Sequence, residues 1–156
     1  MESVYIETTI VSYLASRPSR DLLVAAHQQI TQDWWIERSQ EFDCYISQVV
    51  IEEVSVGDPE QAKKRIESIE AFSVLEVTEA AENLTRAILA NGVIPRRAVR
   101  DAAHIAVATV NNMDYLLTWN CRHLANAQII RRVASVCTEK GFNMPLICTP
   151  EELMGG

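Results

Sequence analysis

Short apolar runs alternate along the chain with longer segments in which apolar residues recur every three or four positions. A short apolar run between polar segments is typical of a buried strand, and a recurrence of three or four is typical of an amphipathic helix. Apolar residues at spacings of 3, 4 and 4 predict such a helix over residues 21–39. The predicted strands span residues 4–6, 42–46, 73–77, 115–118 and 146–148.

Helix starts are marked by residues whose side chains can cap a helix. Asp58 is followed by Pro59, which suits the first helical position, and by Gln61 in the capping-box place. This signal predicts a helix that runs to about residue 71. Ser47 and Thr78 are further capping candidates. The other predicted helices span residues 47–57, 78–91, 95–110 and 128–140, and a short one follows Thr149.

The order of these elements favours a fold of the α/β class. Short apolar strands that alternate with helices predict a parallel sheet covered by helices on both faces. A length of 156 residues fits one domain, and the chain carries no internal repeat, low-complexity tract or linker. We therefore expect a single α/β domain over residues 1–156, built on a central parallel sheet of about five short strands.

Composition excludes several classes of protein. With 14 Lys and Arg against 21 Asp and Glu, the net charge of −7 argues against a protein that coats nucleic acid with a broad basic face. An enzyme that binds RNA through a small basic rim around an acidic metal site is still compatible with this charge. The five glycines form no phosphate-binding loop, and the four cysteines form no C-x-x-C pair. These two facts exclude a glycine-loop nucleotide site and a zinc knuckle.

The sequence also predicts a cytoplasmic protein without a membrane segment. Its first residues lack the basic and apolar regions of a signal peptide. No apolar run approaches the roughly 18 residues that a membrane span needs. A reducing cytosol fits the scattered cysteines, which we expect to be free and mostly buried thiols.

Four polar residues fall close to the ends of the predicted strands. Glu7 ends the first strand, and Glu53 follows Ser47, the end of the second strand, by six residues. Asn120 comes two residues after the fourth strand, and Asp101 lies about two turns into a predicted helix with a largely apolar centre. Ligands of a parallel α/β fold bind at the carboxyl ends of the strands. We therefore expect these side chains to meet there.

Each of the four residues has an ordinary structural explanation when it is taken alone. A strand-end glutamate often forms a salt bridge, an exposed helical glutamate is often only solvated, and an asparagine after a strand often forms a turn. Asp101 is harder to explain, because a carboxylate among apolar residues is costly to desolvate without a partner. A divalent cation is such a partner, and oxygen ligands alone indicate Mg²⁺ or Mn²⁺. Together the residues predict a metal site suited to phosphoester chemistry.

Four short motifs follow one another at defined spacing. They are a strand that ends in an acid and two threonines, a serine six residues before a helical acid, an acid that opens an alanine-rich helix, and a strand followed by Thr-Trp-Asn. The motifs read YIETT at 5–9, SQVVIEEV at 47–54, DAAHIAVA at 101–108 and LLTWN at 116–120. In this order they resemble the motifs of PIN-domain proteins, specifically the VapC-like ribonuclease toxins of prokaryotes. The resemblance covers almost the whole chain and implies a PIN-like fold.

The resemblance implies metal-dependent hydrolysis of RNA phosphodiester bonds by the toxin of a type II toxin–antitoxin pair. Mg²⁺ or Mn²⁺ would be held, directly or through water, by Glu7, Glu53, Asp101 and Asn120. Hydroxyl groups would steady these carboxylates by hydrogen bonds, and the candidates are Thr8, Thr9 and Thr118. The implied partners are an RNA substrate, a cognate antitoxin and a second copy of the chain in a homodimer.

Two positions depart from the family pattern. The first acid is Glu7 where most members have Asp, and Asn120 stands where many have Asp. The site then carries three carboxylates, which favours one metal ion over a two-metal clamp. Glu52 lies about 100° from Glu53 around the helix, so we expect it to point elsewhere.

Basic residues close to the predicted site offer contacts for RNA phosphates. They follow the first strand, precede Asp101 or follow Asn120, and the candidates are Arg17, Arg97, Arg100 and Arg122. His104 lies one turn beyond Asp101, and we expect it to be a packed, hydrogen-bonded histidine.

Two alternatives compete with the ribonuclease. A PIN module with weakened or lost catalysis would bind RNA or a protein partner, with Glu7 and Asn120 as marks of the loss. Such a module should bind Mn²⁺ poorly. A PIN-like nuclease acting on structured DNA, as flap nucleases do, is the other alternative. Those enzymes usually carry more acids and extra helical insertions, and this compact chain has neither.

Overall fold

Five short parallel strands form the centre of the computed structural model, which describes residues 1–155. Gly156, the last residue of the predicted domain, lies outside the described residues. The strands are β1 (Ser3–Ile6), β2 (Asp43–Ser47), β3 (Ser73–Leu75), β4 (Tyr115–Leu117) and β5 (Leu146–Cys148). They lie in the order β3-β2-β1-β4-β5, and every neighbouring pair is parallel. The expected α/β fold on a parallel five-stranded sheet is confirmed.

Helices connect the strands and cover both faces of the sheet. Within residues 1–155 they are α1 (Thr8–Ala15), α2 (Leu22–Glu37), α3 (Gln48–Val54), α4 (Pro59–Ile69), α5 (Glu79–Asn91), α6 (Val99–Val110) and α7 (Ala127–Glu139). Helices α1 to α4 form one contacting group, and α5 contacts α6 and α7. Because crossovers between parallel strands are right-handed, the two groups lie on opposite faces of the sheet.

The predicted capping residues begin the helices for which they were proposed. The side chains of Ser47, Asp58 and Thr78 each accept a hydrogen bond from a backbone amide in the first turn of α3, α4 and α5. The apolar stretch at residues 10–14 belongs to α1, which is capped by Glu7.

Two predicted helices differ from the structure. The helix expected from residue 95 begins at Val99, because a 3-10 turn occupies Arg96–Ala98. Asp101 therefore lies in the first turn of α6 and not two turns into it. After Thr149 the structure has a turn in place of the predicted helix. Glu152 does bond the amide and hydroxyl of Thr149 as in a capping box, but the backbone bonds that follow join residues three apart, as in the 3.2 Å bond from Leu153 N to the Pro150 carbonyl.

The central strand β1 determines where a ligand can bind. Its residues Val4, Tyr5 and Ile6 are completely buried between β2 and β4. The chain moves outward from β1 in one direction through β2 and in the other through β4, and such a switch point opens a crevice at the carboxyl ends of the strands. Glu7 lies at this point, where its amide donates to the Leu117 carbonyl at 3.1 Å. In the described part of the chain, no helix has both the length and the apolar character of a membrane span.

Candidate metal centre

Glu7 is a buried carboxylate at the carboxyl end of β1, with only 3% of the residue exposed. Its Oε1 accepts hydrogen bonds from the Thr9 amide (3.1 Å), the Thr9 hydroxyl (2.5 Å) and the Thr118 hydroxyl (2.6 Å). Its Oε2 has no hydrogen-bond partner among residues 1–155 and lies 4.0 Å from His104 Nε2. One oxygen of Glu7 is thus fixed by the protein, and the other is left for a ligand.

Backbone amides set the direction of the two hydroxyl hydrogen bonds to Glu7. The Trp119 amide donates to Thr9 Oγ1 at 2.9 Å. The Asn120 amide donates to Thr118 Oγ1, also at 2.9 Å. Since each hydroxyl already accepts from an amide, its own proton is available for the carboxylate. Both threonines therefore stabilise the ionised form of Glu7, as expected for residues that steady a carboxylate; their part in metal binding stays a prediction.

Glu53 and His104 complete a cluster with Glu7. Glu53 Oε1 accepts a hydrogen bond from Thr8 Oγ1 at 2.8 Å and lies 2.5 Å from His104 Nε2. One ligand atom of each of the three residues lies within 4.8 Å of the other two. Two carboxylates and an imidazole at this spacing are a donor set that a divalent cation can use.

His104 is completely buried on α6, and both of its ring nitrogens have partners. Nδ1 lies 2.6 Å from the Tyr5 hydroxyl, which lies 2.6 Å from the Ser47 hydroxyl. Ser47 Oγ in turn accepts a hydrogen bond from the Val49 amide at 3.2 Å. This chain of contacts runs from the start of α3 through β1 to α6 and fixes the orientation of the imidazole.

Burial and charge shift the pKa values of the cluster in different directions. Burial raises the pKa of Glu7, and the nearby His104 and the threonine donors offset only part of this shift. Burial also opposes the ionisation of Glu53 and His104, but the hydrogen bond and opposite charges between them outweigh it. The pKa of Glu53 is therefore lowered and the pKa of His104 is raised. The two side chains are in direct contact beside Glu7.

Asp101 and Asn120 lie outside this cluster. Asp101 Oδ2 lies 2.9 Å from His123 Nδ1. Asn120 Oδ1 accepts hydrogen bonds from the amides of Arg122 (3.2 Å) and His123 (3.0 Å), so it stabilises the turn after β4. Of the four predicted ligands, the described structure brings Glu7 and Glu53 together, and it pairs Asp101 and Asn120 with the His123 segment.

The four predicted RNA-contacting arginines are exposed, and none forms an ion pair with an acidic residue within residues 1–155. Arg100 is close enough to Glu53 for its charge to help lower the pKa of that carboxyl. It also lines a cleft of about 560 Å³ together with Glu52, which is exposed and does not belong to the cluster. Arg17 lines a separate cavity between the end of α1 and the start of α4.

Comparison with known proteins identifies the fold. No family model matches the sequence, and no curated protein matches it significantly. Thirteen chains of solved structures match significantly. One belongs to the crystal structure of VapBC2 from Rickettsia felis bound to a DNA fragment from their promoter, with a TM-score of 0.62, 13% sequence identity, and coverage of 94% of this chain and 98% of that chain. The chain has a VapC-like PIN fold. At this level of identity the likeness establishes the fold alone.

Two residues of this PIN fold were not assigned to the site from the sequence. His104 was expected to be packed and hydrogen-bonded, which is confirmed, but its partner is the predicted ligand Glu53. It follows Asp101 by three residues, so both lie on one face of α6. Tyr5 precedes Glu7 by two residues, so both side chains point to the same side of the sheet. These two spacings are the sequence signal for the additional residues.

Proposed function

We propose that this chain is a metal-dependent endoribonuclease that hydrolyses RNA phosphodiester bonds, and that it is the toxin of a type II toxin–antitoxin pair. The observation that carries the proposal is the acidic cluster of Glu7 and Glu53 at the carboxyl edge of a VapC-like PIN fold. Oε2 of Glu7 accepts no hydrogen bond within residues 1–155 and is therefore available to a cation. The donor set therefore fits a divalent cation.

Mg²⁺ or Mn²⁺ is the proposed cofactor, held by Glu7, Glu53, Asp101 and Asn120. When bound, the ion would lower the pKa of a water molecule and offset the charge that develops on the phosphate oxygens. Thr8, Thr9 and Thr118 keep the carboxylates in place through the hydrogen bonds described above. The exposed side chains proposed to bind RNA phosphates are Arg17, Arg97, Arg100 and Arg122.

A cognate antitoxin and a homodimer are part of the same proposal, as are a single PIN domain over residues 1–156 and a cytoplasmic location. The Rickettsia felis neighbour was solved as a VapBC complex, which supports a protein partner for this chain. With a net charge of −7, the proposed RNA contacts are the four arginines named above and not a broad basic face.

A second candidate function is a PIN module that binds RNA or a protein partner without cleaving RNA. The position of His104 favours it, because Nε2 lies 2.5 Å from Glu53 Oε1. A protonated imidazole at this position neutralises negative charge in the cluster, which is what a cation does in an active nuclease. The two functions differ in metal affinity, since the non-catalytic module should bind Mn²⁺ poorly.

We expect the protein to cleave RNA only when a divalent cation is present. A pool of structured RNAs is incubated with the protein in Mg²⁺, in Mn²⁺ and in EDTA, and the fragments are separated on a denaturing gel. Fragments should form with at least one of the two metals and be absent in EDTA. Cleavage that persists in EDTA would contradict the proposal, and a folded protein that neither cleaves RNA nor binds Mn²⁺ would favour the non-catalytic module.

Asn120→Asp should leave RNA cleavage equal to that of the wild type or raise it. The aspartate keeps the oxygen that accepts from the amides of Arg122 and His123, so the turn is preserved, and it adds a fourth carboxylate to the site. Initial cleavage rates are compared with those of Asn83→Asp, which adds the same charge on the exposed face of α5. A clear loss of cleavage at an unchanged melting temperature would mean that a neutral amide is required at this position.

A further inference from the structure

We propose that His104 is a direct ligand of the metal through Nε2, and that this nitrogen makes the site select Mn²⁺ over Mg²⁺. The inference rests on the proposed function for the presence of a metal and names a ligand that the sequence motifs did not assign. It adds one imidazole to the oxygen ligands proposed above.

The first observation is the position of His104 Nε2 beside two carboxylates. Nε2 lies 2.5 Å from Glu53 Oε1 and 4.0 Å from Glu7 Oε2. Adjacent ligands of one octahedral ion with bonds of about 2.1 Å lie about 3 Å apart, and opposite ligands about 4.2 Å apart. The His104–Glu7 distance is close to the value for opposite ligands. The His104–Glu53 distance is about half an ångström short of the value for adjacent ligands, and Glu53 is the side chain able to withdraw, since 23% of it is exposed.

The second observation is that Oε2 of Glu7 is free to bind an ion. Only 3% of Glu7 is exposed, and three hydrogen-bond donors fix its Oε1. Oε2 has no hydrogen-bond partner within residues 1–155 and is directed toward the imidazole. An ion that binds this oxygen is therefore placed beside Nε2.

The third observation is that the contacts of His104 Nδ1 orient the ring. A histidine that binds a metal usually donates its second ring N–H to a fixed acceptor, which orients the ring. Nδ1 lies 2.6 Å from the Tyr5 hydroxyl, which Ser47 holds at 2.6 Å. Each hydroxyl can reverse its hydrogen bond, since it is both donor and acceptor. Nδ1 can therefore donate to Tyr5 while Nε2 directs a lone pair at the cluster.

The nitrogen ligand decides between the two proposed ions. Mg²⁺ binds oxygen almost exclusively and gives up its waters reluctantly, whereas first-row transition metals accept imidazole. Mn²⁺ is the ion of the proposed pair that uses both carboxylates and imidazole. Selection of Mn²⁺ is thus a consequence of His104, and it should disappear when this side chain is replaced.

The test measures the Mn²⁺-loaded protein without RNA. Pulsed electron paramagnetic resonance detects the ¹⁴N coupling of an imidazole bound directly to Mn²⁺. We expect this coupling in the wild type and in His27→Gln, and its loss in His104→Gln. His27 is a matched control, because it stacks on Trp119 at 3.9 Å and touches none of the three cluster residues. Bound Mn²⁺ without ¹⁴N coupling in the wild type would overturn the inference, whatever the variants do.

A second variant keeps the test decisive if His104→Gln fails to fold. Tyr5→Phe retains the buried ring and removes the hydroxyl that orients Nδ1. We expect the ¹⁴N coupling to persist and the Mn²⁺ affinity, measured by calorimetric titration, to fall about 10- to 100-fold. An unchanged affinity at an unchanged melting temperature would refute the positioning of His104 by Tyr5.

The outcomes for the ligand and for the nuclease are separable. Mn²⁺ bound with ¹⁴N coupling, together with no RNA cleavage, would support the ligand and refute the nuclease. Metal-dependent cleavage by a protein whose Mn²⁺ shows no ¹⁴N coupling would support the nuclease and refute the ligand. Absence of any Mn²⁺ binding would overturn the ligand, and absence of cleavage with either Mg²⁺ or Mn²⁺ would overturn the nuclease.

Discussion

Glu7→Gln should make the metal-free protein more stable and should abolish its stabilisation by Mn²⁺. The substitution preserves shape, and the amide oxygen can still accept the bonds from Thr9 and Thr118 that reach Oε1. It removes the negative charge of a side chain that is only 3% exposed. Because burial raises the pKa of Glu7, the folded protein favours the neutral form, and a permanently neutral residue relieves the cost of the charge.

The sign of this effect depends on pH. An acid whose pKa is higher in the folded than in the unfolded protein destabilises the fold once pH exceeds its unfolded pKa, about 4.3 for glutamate. The destabilisation is absent below that value and grows as pH rises toward the folded pKa. The advantage of Glu7→Gln over the wild type should therefore shrink as pH is lowered from the folded pKa toward the unfolded pKa of about 4.3.

Thermal melting in EDTA and in Mn²⁺ measures both parts of the prediction. A substitution that removes an unfavourable feature of a functional site typically adds about 1 kcal/mol to the free energy of unfolding. This corresponds to about 3 °C in melting temperature for a chain of this size, so the variant should melt higher in EDTA. Mn²⁺ at about 100 times its Kd adds about 2.7 kcal/mol to a protein that binds it. The wild type should therefore melt higher in Mn²⁺, and the order of the two proteins should reverse.

Glu2→Gln is the matched control, because it removes one carboxylate next to the opposite end of β1, where Glu2 accepts a bond from the Tyr115 hydroxyl. It should leave the Mn²⁺ stabilisation intact. A Glu7→Gln protein that melts lower in EDTA and still gains stability from Mn²⁺ would show that Glu7 is structural and not a ligand.

The fold was predictable because its signals are local. Short apolar runs marked the strands, and Ser47, Asp58 and Thr78 marked helix starts through contacts within three residues. The start of α6 was predicted too early because Pro95 precedes a 3-10 turn, and a proline before such a turn resembles one that opens an α-helix. Glu53 was chosen over Glu52 by its six-residue offset from Ser47, and the structure places Glu53 beside Glu7.

The composition of the site was less predictable because it depends on contacts between distant segments. His104 and Glu53 are 51 residues apart in the chain, and Tyr5 and His104 are 99 apart. No local sequence pattern predicts that α3, β1 and α6 meet at the imidazole of His104. Asp101 illustrates the same limit. Its apolar surroundings indicated a cation as the missing partner, and the structure shows His123 in contact with its carboxylate.

Asp101→Asn should reduce RNA cleavage about 100-fold while the protein remains folded. Asparagine keeps the shape of Asp101 and can still accept a hydrogen bond from His123 Nδ1, but it removes one carboxylate from the proposed site. Because Asp101 lies outside the cluster of Glu7, Glu53 and His104, its loss should weaken Mn²⁺ binding less than Glu7→Gln does.

Three readouts separate the possible roles of Asp101. Cleavage rate, Mn²⁺ affinity and melting temperature are compared with those of Asp33→Asn, which removes a partly buried aspartate of α2 and should match the wild type. Retained cleavage in Asp101→Asn would remove Asp101 from the site. If His123→Gln lowers cleavage equally and both variants bind Mn²⁺ normally, Asp101 acts by positioning His123. If Asp101→Asn loses both cleavage and Mn²⁺ affinity while His123→Gln loses neither, Asp101 is a metal ligand and the imidazole of His123 is dispensable.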